Sequence, residues 1–391
     1  MPDTSVKRIH ESMRGAPVLN GVAGSLIGLL DTFLVNGWGL ATANSLSVSG
    51  GVATLTMPAG SEFEDHCVVL IAGATPAALN GEQRIATTNG TTLTFPTTAP
   101  DGPATGTITV KYAPCGWQKV FSGANLAVYR SQNVMGNRRF LRVADTGNVD
   151  ARVVAYNNMT AVSTGTGPFP TAAQVSGGGY WNKSTTADAT AQRYDIFADD
   201  RMVYFGSAAT YVPYGSVDSA AVAVFRPFGD PLWLKQTGDA WSSVLGVAKT
   251  SGAFDTAGGI VPGGVPGLFI ERALAGTGTA IESASRPDAG SPTAWSGEDA
   301  EGFGPFPGAV DGRLRLSRIR LSVSVTDVTA RGYFPGFFHV PHTALTSHAT
   351  LKSRDTVDGF GALSGRKLML MWVGGGSRQG AVFVDITGPW R

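Results

Sequence analysis

At 391 residues the chain is long enough for several cores, yet only 15% of it is Asp, Glu, Lys or Arg, against roughly a quarter in an ordinary soluble domain. Its 30 basic and 29 acidic residues nearly cancel, which excludes an overall field drawing it to nucleic acid or to an anionic membrane. With 52 glycines and 22 prolines where charges usually stand, little keeps neighbouring copies apart, and much of the surface is expected to be covered in an assembly.

Near the start, Lys7, Arg8 and Arg14 precede an apolar run from Val18 to Val35, a profile shared by signal peptides and membrane spans. Asn20, Ser25, Asp31 and Thr32 interrupt that run, and no small-residue cleavage site follows it. Leu26, Leu30 and Phe33 fall at i, i+4 and i+7, so one short amphipathic helix over 22–35 is expected. These three side chains are candidates for an assembly interface, with no membrane insertion.

Gly37-Trp38-Gly39 and Gly116-Trp117-Gln118 bracket a stretch of short alternating runs. Leu46 and Val48 lead to Gly50-Gly51, and Ala53, Leu55 and Met57 return, which is a hairpin pattern. Val68 to Ala72 reads as a strand buried on both faces. Ile85 and Thr87 approach Asn89-Gly90, a favoured hairpin turn, and Leu93 and Phe95 leave it. Ile108, Val110 and Tyr112 form a closing strand. Residues 41–114 are therefore an inserted all-β module of immunoglobulin-like kind, and 1–40 join 115–391 as the main domain.

Further strands are expected at Phe140 to Val143, Arg152 to Tyr156, Tyr194 to Phe197, Met202 to Phe205 and Ala221 to Phe225, with a loop from Ser163 to Gly179. The clearest single strand runs from Arg313 to Val325, with a bulge near Ser317 or Arg318 to keep its apolar residues in phase. Lys367 to Val373 and Ala381 to Ile386 flank Gly374-Gly375-Gly376 as a last hairpin. The fold class is mainly β, multi-domain and sandwich- or barrel-like, with one short N-terminal helix.

Signals for chemistry are sparse. His339 and His342 stand three apart beside Phe337, Phe338 and Pro341, which oppose a helix and favour structural roles. Glu62, Glu64, Asp65, His66 and Cys67 supply ligand types without a returning partner motif, so a solvated acidic loop is the plain reading. Asp199-Asp200 and Glu298-Asp299 with Glu301 are carboxylate pairs of the type a glycosidase brings together across a cleft, but adjacent acids usually mark a turn, as the first pair does; no nucleophile elbow or phosphate loop is present. Neither an enzyme, a metal nor a cofactor is expected. Cys67 and Cys115 allow one bridge, and two free buried thiols are the favoured alternative.

Arg313, Arg315, Arg318 and Arg320 concentrate positive charge and are candidates for a subunit-facing strand. Tyr180 and Trp181 are candidates for stacking on sugar rings, the alternative being that tryptophans anchor a core.

Met13-Arg14-Gly15-Ala16-Pro17-Val18-Leu19-Asn20-Gly21, the segment Leu34 to Gly39, the segment Val120 to Arg130 and the ending Gly388-Pro389-Trp390-Arg391 resemble uncharacterised virion proteins of tailed bacteriophages and prophages. Leu70 to Tyr112 is similar to small β-domains that decorate phage tail proteins. The resemblance implies a structural place in the tail tip or baseplate of a particle, reached from the host cytoplasm. Other virion proteins and further copies in a ring or trimer are the implied partners. A host-surface glycan and a place as a capsid decoration protein are the alternatives. No functional residue comes with the resemblance.

Overall fold

A computed structural model describes residues 2–209, 221–234, 242–252, 258–260, 266–273, 277–290, 296–298, 302–343, 345, 351–375 and 378–391. Asp299, Glu301, His348, Gly376 and most of the glycine-rich stretch from Ala257 to Gly267 lie outside them. The chain is mainly β, and every pair of named strands is antiparallel. Among the described residues no helix is long and apolar enough to cross a membrane.

The main domain stacks three sheets. The central sheet orders Lys7–His10, Tyr194–Ala198, Met202–Ser207, Phe225–Gly229, Val244–Gly246, Leu268–Ile270 and Ile281–Ser283. Tyr194–Ala198 and Met202–Ser207 are buried at every position, as expected for strands covered on both faces. Their alternation assigns the faces: Ile196, Val203 and Phe205 join one core, while Phe197, Met202 and Tyr204 join another.

The first core lies against the sheet formed by Trp117–Gly123, Leu126–Ser131, Phe140–Ala144, Asp150–Ala161, Thr164–Phe169 and Gly179–Asn182. Trp181 stacks on Phe205 across it, ring centres 5.0 Å apart. The second core lies against a sheet of Ser285–Pro287, Ser317–Ser322, Ala330–His339, Arg378–Asp385, Lys367–Gly375 and Thr356–Asp358, with Leu232–Trp233 beside it. Tyr204 meets Phe337 there at 4.2 Å. The far face of this last sheet carries a third core roofed by loops.

Trp38 to Tyr112 forms a four-stranded and a five-stranded sheet whose strands pair only with one another. Both expected hairpins are there, Ser45–Ser49 with Val52–Thr56 and Thr87–Asn89 with Thr92–Pro96. Entry and exit run side by side: a Cβ on Gly37, at φ +71°, would stand 2.4 Å from the Tyr112 carbonyl oxygen. Only glycine allows that approach.

Arg84 clamps the module to the main domain. Its guanidinium donates to the carbonyls of Asp3 (2.5 Å), His66 (2.6 Å), Ile386 (2.8 Å) and Val6 (2.9 Å). Burial pushes its pKa down to about 10, against the pull of Asp3 and Asp385. Nearby, Glu64 of the module pairs with Arg8 (3.0 Å) and His10 (2.9 Å) on the edge strand of the central sheet. Burial alone would raise the Glu64 pKa; the His10 hydrogen bond and the Arg8 and His10 charges more than offset it and hold it below the ordinary value. Arg354 closes the same corner, gripping Asp195 at 2.9 Å and Glu11 at 2.7 Å.

The expected helix spans Ser25–Leu30 and continues as one π-helical turn, Asp31–Asn36. Its N-terminus is capped from outside: Asp145 accepts from the Leu26 N–H (2.8 Å) and the Ile27 N–H (3.3 Å). Lys183 completes this buried pair at 2.5 Å from Asp145 and also donates to the Val22 carbonyl. Leu26, Leu30 and Phe33 are fully buried in the chain's own core, with Phe33 edge-on to Trp38 at 6.1 Å. The candidate interface on this helix is thereby corrected: the apolar stripe joins module to main domain and is not free to face a neighbour.

Other expectations shift. The strand placed at Ala221 to Phe225 begins at Phe225 and runs to Gly229, while Val222 makes an isolated bridge to Val373. Pro227 is tolerated there because the next strand pairs only with Phe228 and Gly229. The loop expected from Ser163 contains the strand Thr164–Phe169, which extends a hairpin with Asp150–Ala161. Cys67 and Cys115 are free and buried.

Candidate functional site

The strand expected from Arg313 to Val325 covers only Ser317–Ser322, with a register shift between Arg318 and Arg320. Residues 313–316 leave the sheet and turn across its outer face. Beside this departure lies a cleft of about 800 Å³. Its floor is the third core: Leu314 and Leu316 lie against Phe338, Leu368 and Phe383, with Leu351, Val357 and Leu363 closing the other side.

His342 fixes the rim. Its Nε2 accepts from the Arg315 N–H at 2.9 Å, and its Nδ1 stands 3.1 Å from the Gly304 carbonyl, so Nδ1 carries the proton. One imidazole thus pins both ends of the loop from Gly304 to Arg315. Burial lowers the His342 pKa, keeping the neutral tautomer that this geometry needs. His339, on the preceding strand, is buried, so the two histidines serve the fold. Asp311 tightens the loop by accepting from the Arg313 N–H at 3.0 Å and pairing with Arg315 at 3.0 Å.

The four candidate arginines have separate fates. Arg315 pairs with Asp311, Arg318 with Asp288 at 3.2 Å, and Arg320 with the same carboxylate at 4.0 Å. Arg318 also lies over the Tyr333 ring at 3.9 Å. Arg313 is exposed and lies over Phe360, 3.8 Å from the ring centre. Among the described residues its guanidinium has no carboxylate partner. Arg313, Arg315 and Arg318 line the cleft and Arg320 does not, so the pattern is no single ladder. Phe360, 68% exposed, lines the cleft, while Phe303 and Val310 are exposed on the loop that leads to it. Phe303 and Phe360 went unnoticed in the sequence because neither sits in a periodic run.

Of the two sugar-stacking candidates, Trp181 is corrected. Trp181 is fully buried, stacked on Phe205, and its indole N–H donates to the Gly246 carbonyl at 2.9 Å. Tyr180 is half-buried with the Arg152 guanidinium 4.0 Å over its ring.

Asp199 accepts from the Arg201 and Met202 N–H groups at 2.8 and 2.6 Å and pairs with Arg391 at 2.9 Å, which makes it the hub of a turn. Asp200 accepts from the Asn133 amide at 2.8 Å. Glu298 is described, while Asp299 and Glu301 are outside the described residues.

No family model and no curated protein matches the chain. Among solved structures the chain is similar to one named phage phi92 endosialidase, with a TM-score of 0.16 and 11% identity. The match covers 90% of this chain and 52% of that one, so the chain spans about half its length. A TM-score that low carries no argument about fold or chemistry.

Proposed function

We propose that the chain is a structural component of a tailed-phage virion, placed in the tail tip or baseplate, and that it acts by holding neighbouring proteins and not by catalysis. The observation that carries this reading is the cleft on the outer sheet, with an apolar floor, the exposed Phe360 and the arginines Arg313, Arg315 and Arg318 in its lining. Aromatic residues and arginine are the side chains enriched at protein interfaces. The scarcity of charge and the resemblance of the N-terminal, Val120–Arg130 and C-terminal segments to virion proteins support the same reading.

The internal organisation agrees with a passive, rigid part. The conspicuous acids Glu64, Asp145, Asp195 and Asp199 are each engaged by a cation of the chain itself. The module is clamped by Arg84 and Glu64, so it transmits force as one piece with the main domain. The test is mass spectrometry and gold labelling of gradient-purified particles from a host that makes this chain. The reading expects the chain in the particle at a fixed ratio and the label at the tail. A chain found only in the lysate, or a monomer at every concentration by light scattering and without any partner, would refute it.

A further inference from the structure

Accepting the assembly reading, we propose that the cleft takes a short apolar segment of a neighbouring virion protein that carries a carboxylate, with Arg313 as the group that grips the acid. The floor supplies the first half of this recognition. Leu314, Leu316 and Phe338, each partly exposed, present apolar side chains, and burying apolar area there gains about 25 cal/mol per Å² before ordering costs. The size, about 800 Å³, lies within the roughly 300–1,000 Å³ of pockets that enclose a ligand of a few side chains.

Charge complementarity supplies the second half. Every acid at the margin is already used: Asp311 by Arg315, Asp358 by Lys367 at 2.6 Å, and Asp288 by Arg318 and Arg320. Among the described residues Arg313 alone of the four arginines makes no ion pair, although its charge is felt at Asp311, which Arg315 holds. Phe360 holds the guanidinium by cation–π contact, 3.8 Å from the ring centre, and no hydrogen bond from its N–H groups to a carboxylate competes among the described residues. A planar guanidinium of that kind matches a carboxylate with two parallel hydrogen bonds. A basic or purely apolar segment would leave this cation desolvated without a partner, so the acid decides which segment fits.

The experiment selects displayed random peptides of about a dozen residues on the full-length chain and measures the winners by fluorescence anisotropy. The expected winners combine Leu, Ile, Phe or Trp with Asp or Glu. Their affinity should fall by about tenfold or more for Arg313→Glu, for Phe360→Ser and for a peptide whose acid is changed to its amide. Arg320→Glu, outside the cleft, should change it by less than about twofold. Selection of basic or polar peptides, of none at all, or of peptides indifferent to Arg313→Glu overturns the proposal. Equal displacement by an acidic polysaccharide also overturns it, because the cleft would then be a sugar site. Peptide binding that needs Arg313, with the chain absent from particles, would leave the cleft standing and remove the virion reading; the reverse pair of results would do the opposite.

Discussion

Replacing Arg84 by Met keeps most of the stem volume and removes the donors that reach Asp3, Val6, His66 and Ile386. Hydrogen bonds from a charged group contribute about 1.5–3 kcal/mol each, but the cation's own desolvation opposes them. The lowered pKa of Arg84, about 10, shows that opposition. Water can reach the Asp3 end of the cluster and replace part of the loss, whereas the Val6 and Ile386 carbonyls are bonded in a buried setting. The net cost expected for Arg84→Met is therefore about 3–5 kcal/mol. Arg84→Lys should recover only part of it, because an ammonium has no fork to span carbonyls on separate segments. Guanidinium denaturation followed by far-UV circular dichroism measures the loss, and limited proteolysis near Gly37 and Pro114 reports whether the module has come free. A Met variant within about 1 kcal/mol of the parent, with unchanged cleavage, would refute the clamp.

Lys183→Met should destabilise the chain by about 3–5 kcal/mol, since it strands the buried Asp145 carboxylate, and adding Asp145→Asn should recover much of that loss in a denaturation cycle. Glu64 has its pKa held below 4.5 in the folded chain, so its contribution is complete above about that pH and disappears as pH falls through the lowered value. The stability gap between the parent and Glu64→Gln should accordingly close on acidification; a gap that widened toward low pH would contradict the Arg8–His10 contact. Cys67, its pKa pushed up to about 12 by burial, and Cys115, also raised by burial, should resist iodoacetamide in the native chain and react once it is unfolded. Native labelling of either thiol would show that the core opens there.

Local pattern made the hairpins legible. Gly50-Gly51 and Asn89-Gly90 sit at the turns because those residues tolerate the backbone that tight hairpins require, and the flanking alternation sets the register. Met202 to Phe205 also read correctly as a strand, since a continuous apolar run suits burial on both faces. The stacking of three sheets was not legible, because which face of Phe197 or Phe205 meets which partner depends on contacts far away in sequence. Leu26, Leu30 and Phe33 show the same gap: periodicity reveals an apolar face but not whether the chain itself covers it. Trp181 takes the core-anchor role that the sequence leaves open beside sugar stacking, and only the Phe205 beneath it decides between the two. Arg313 to Arg320 was visible as a charge cluster, yet the exit from the sheet at Arg315–Leu316 depends on His342, whose role no spacing discloses.

The most direct measurement is incorporation of a cleft variant into particles. Arg313→Glu combined with Phe360→Ala alters two exposed side chains and should leave the fold intact by circular dichroism. Quantitative mass spectrometry of purified virions should then find the parent chain present and the folded double variant depleted by about tenfold or more. Equal incorporation of the two, or absence of both from the particle, would contradict an assembly role centred on this cleft.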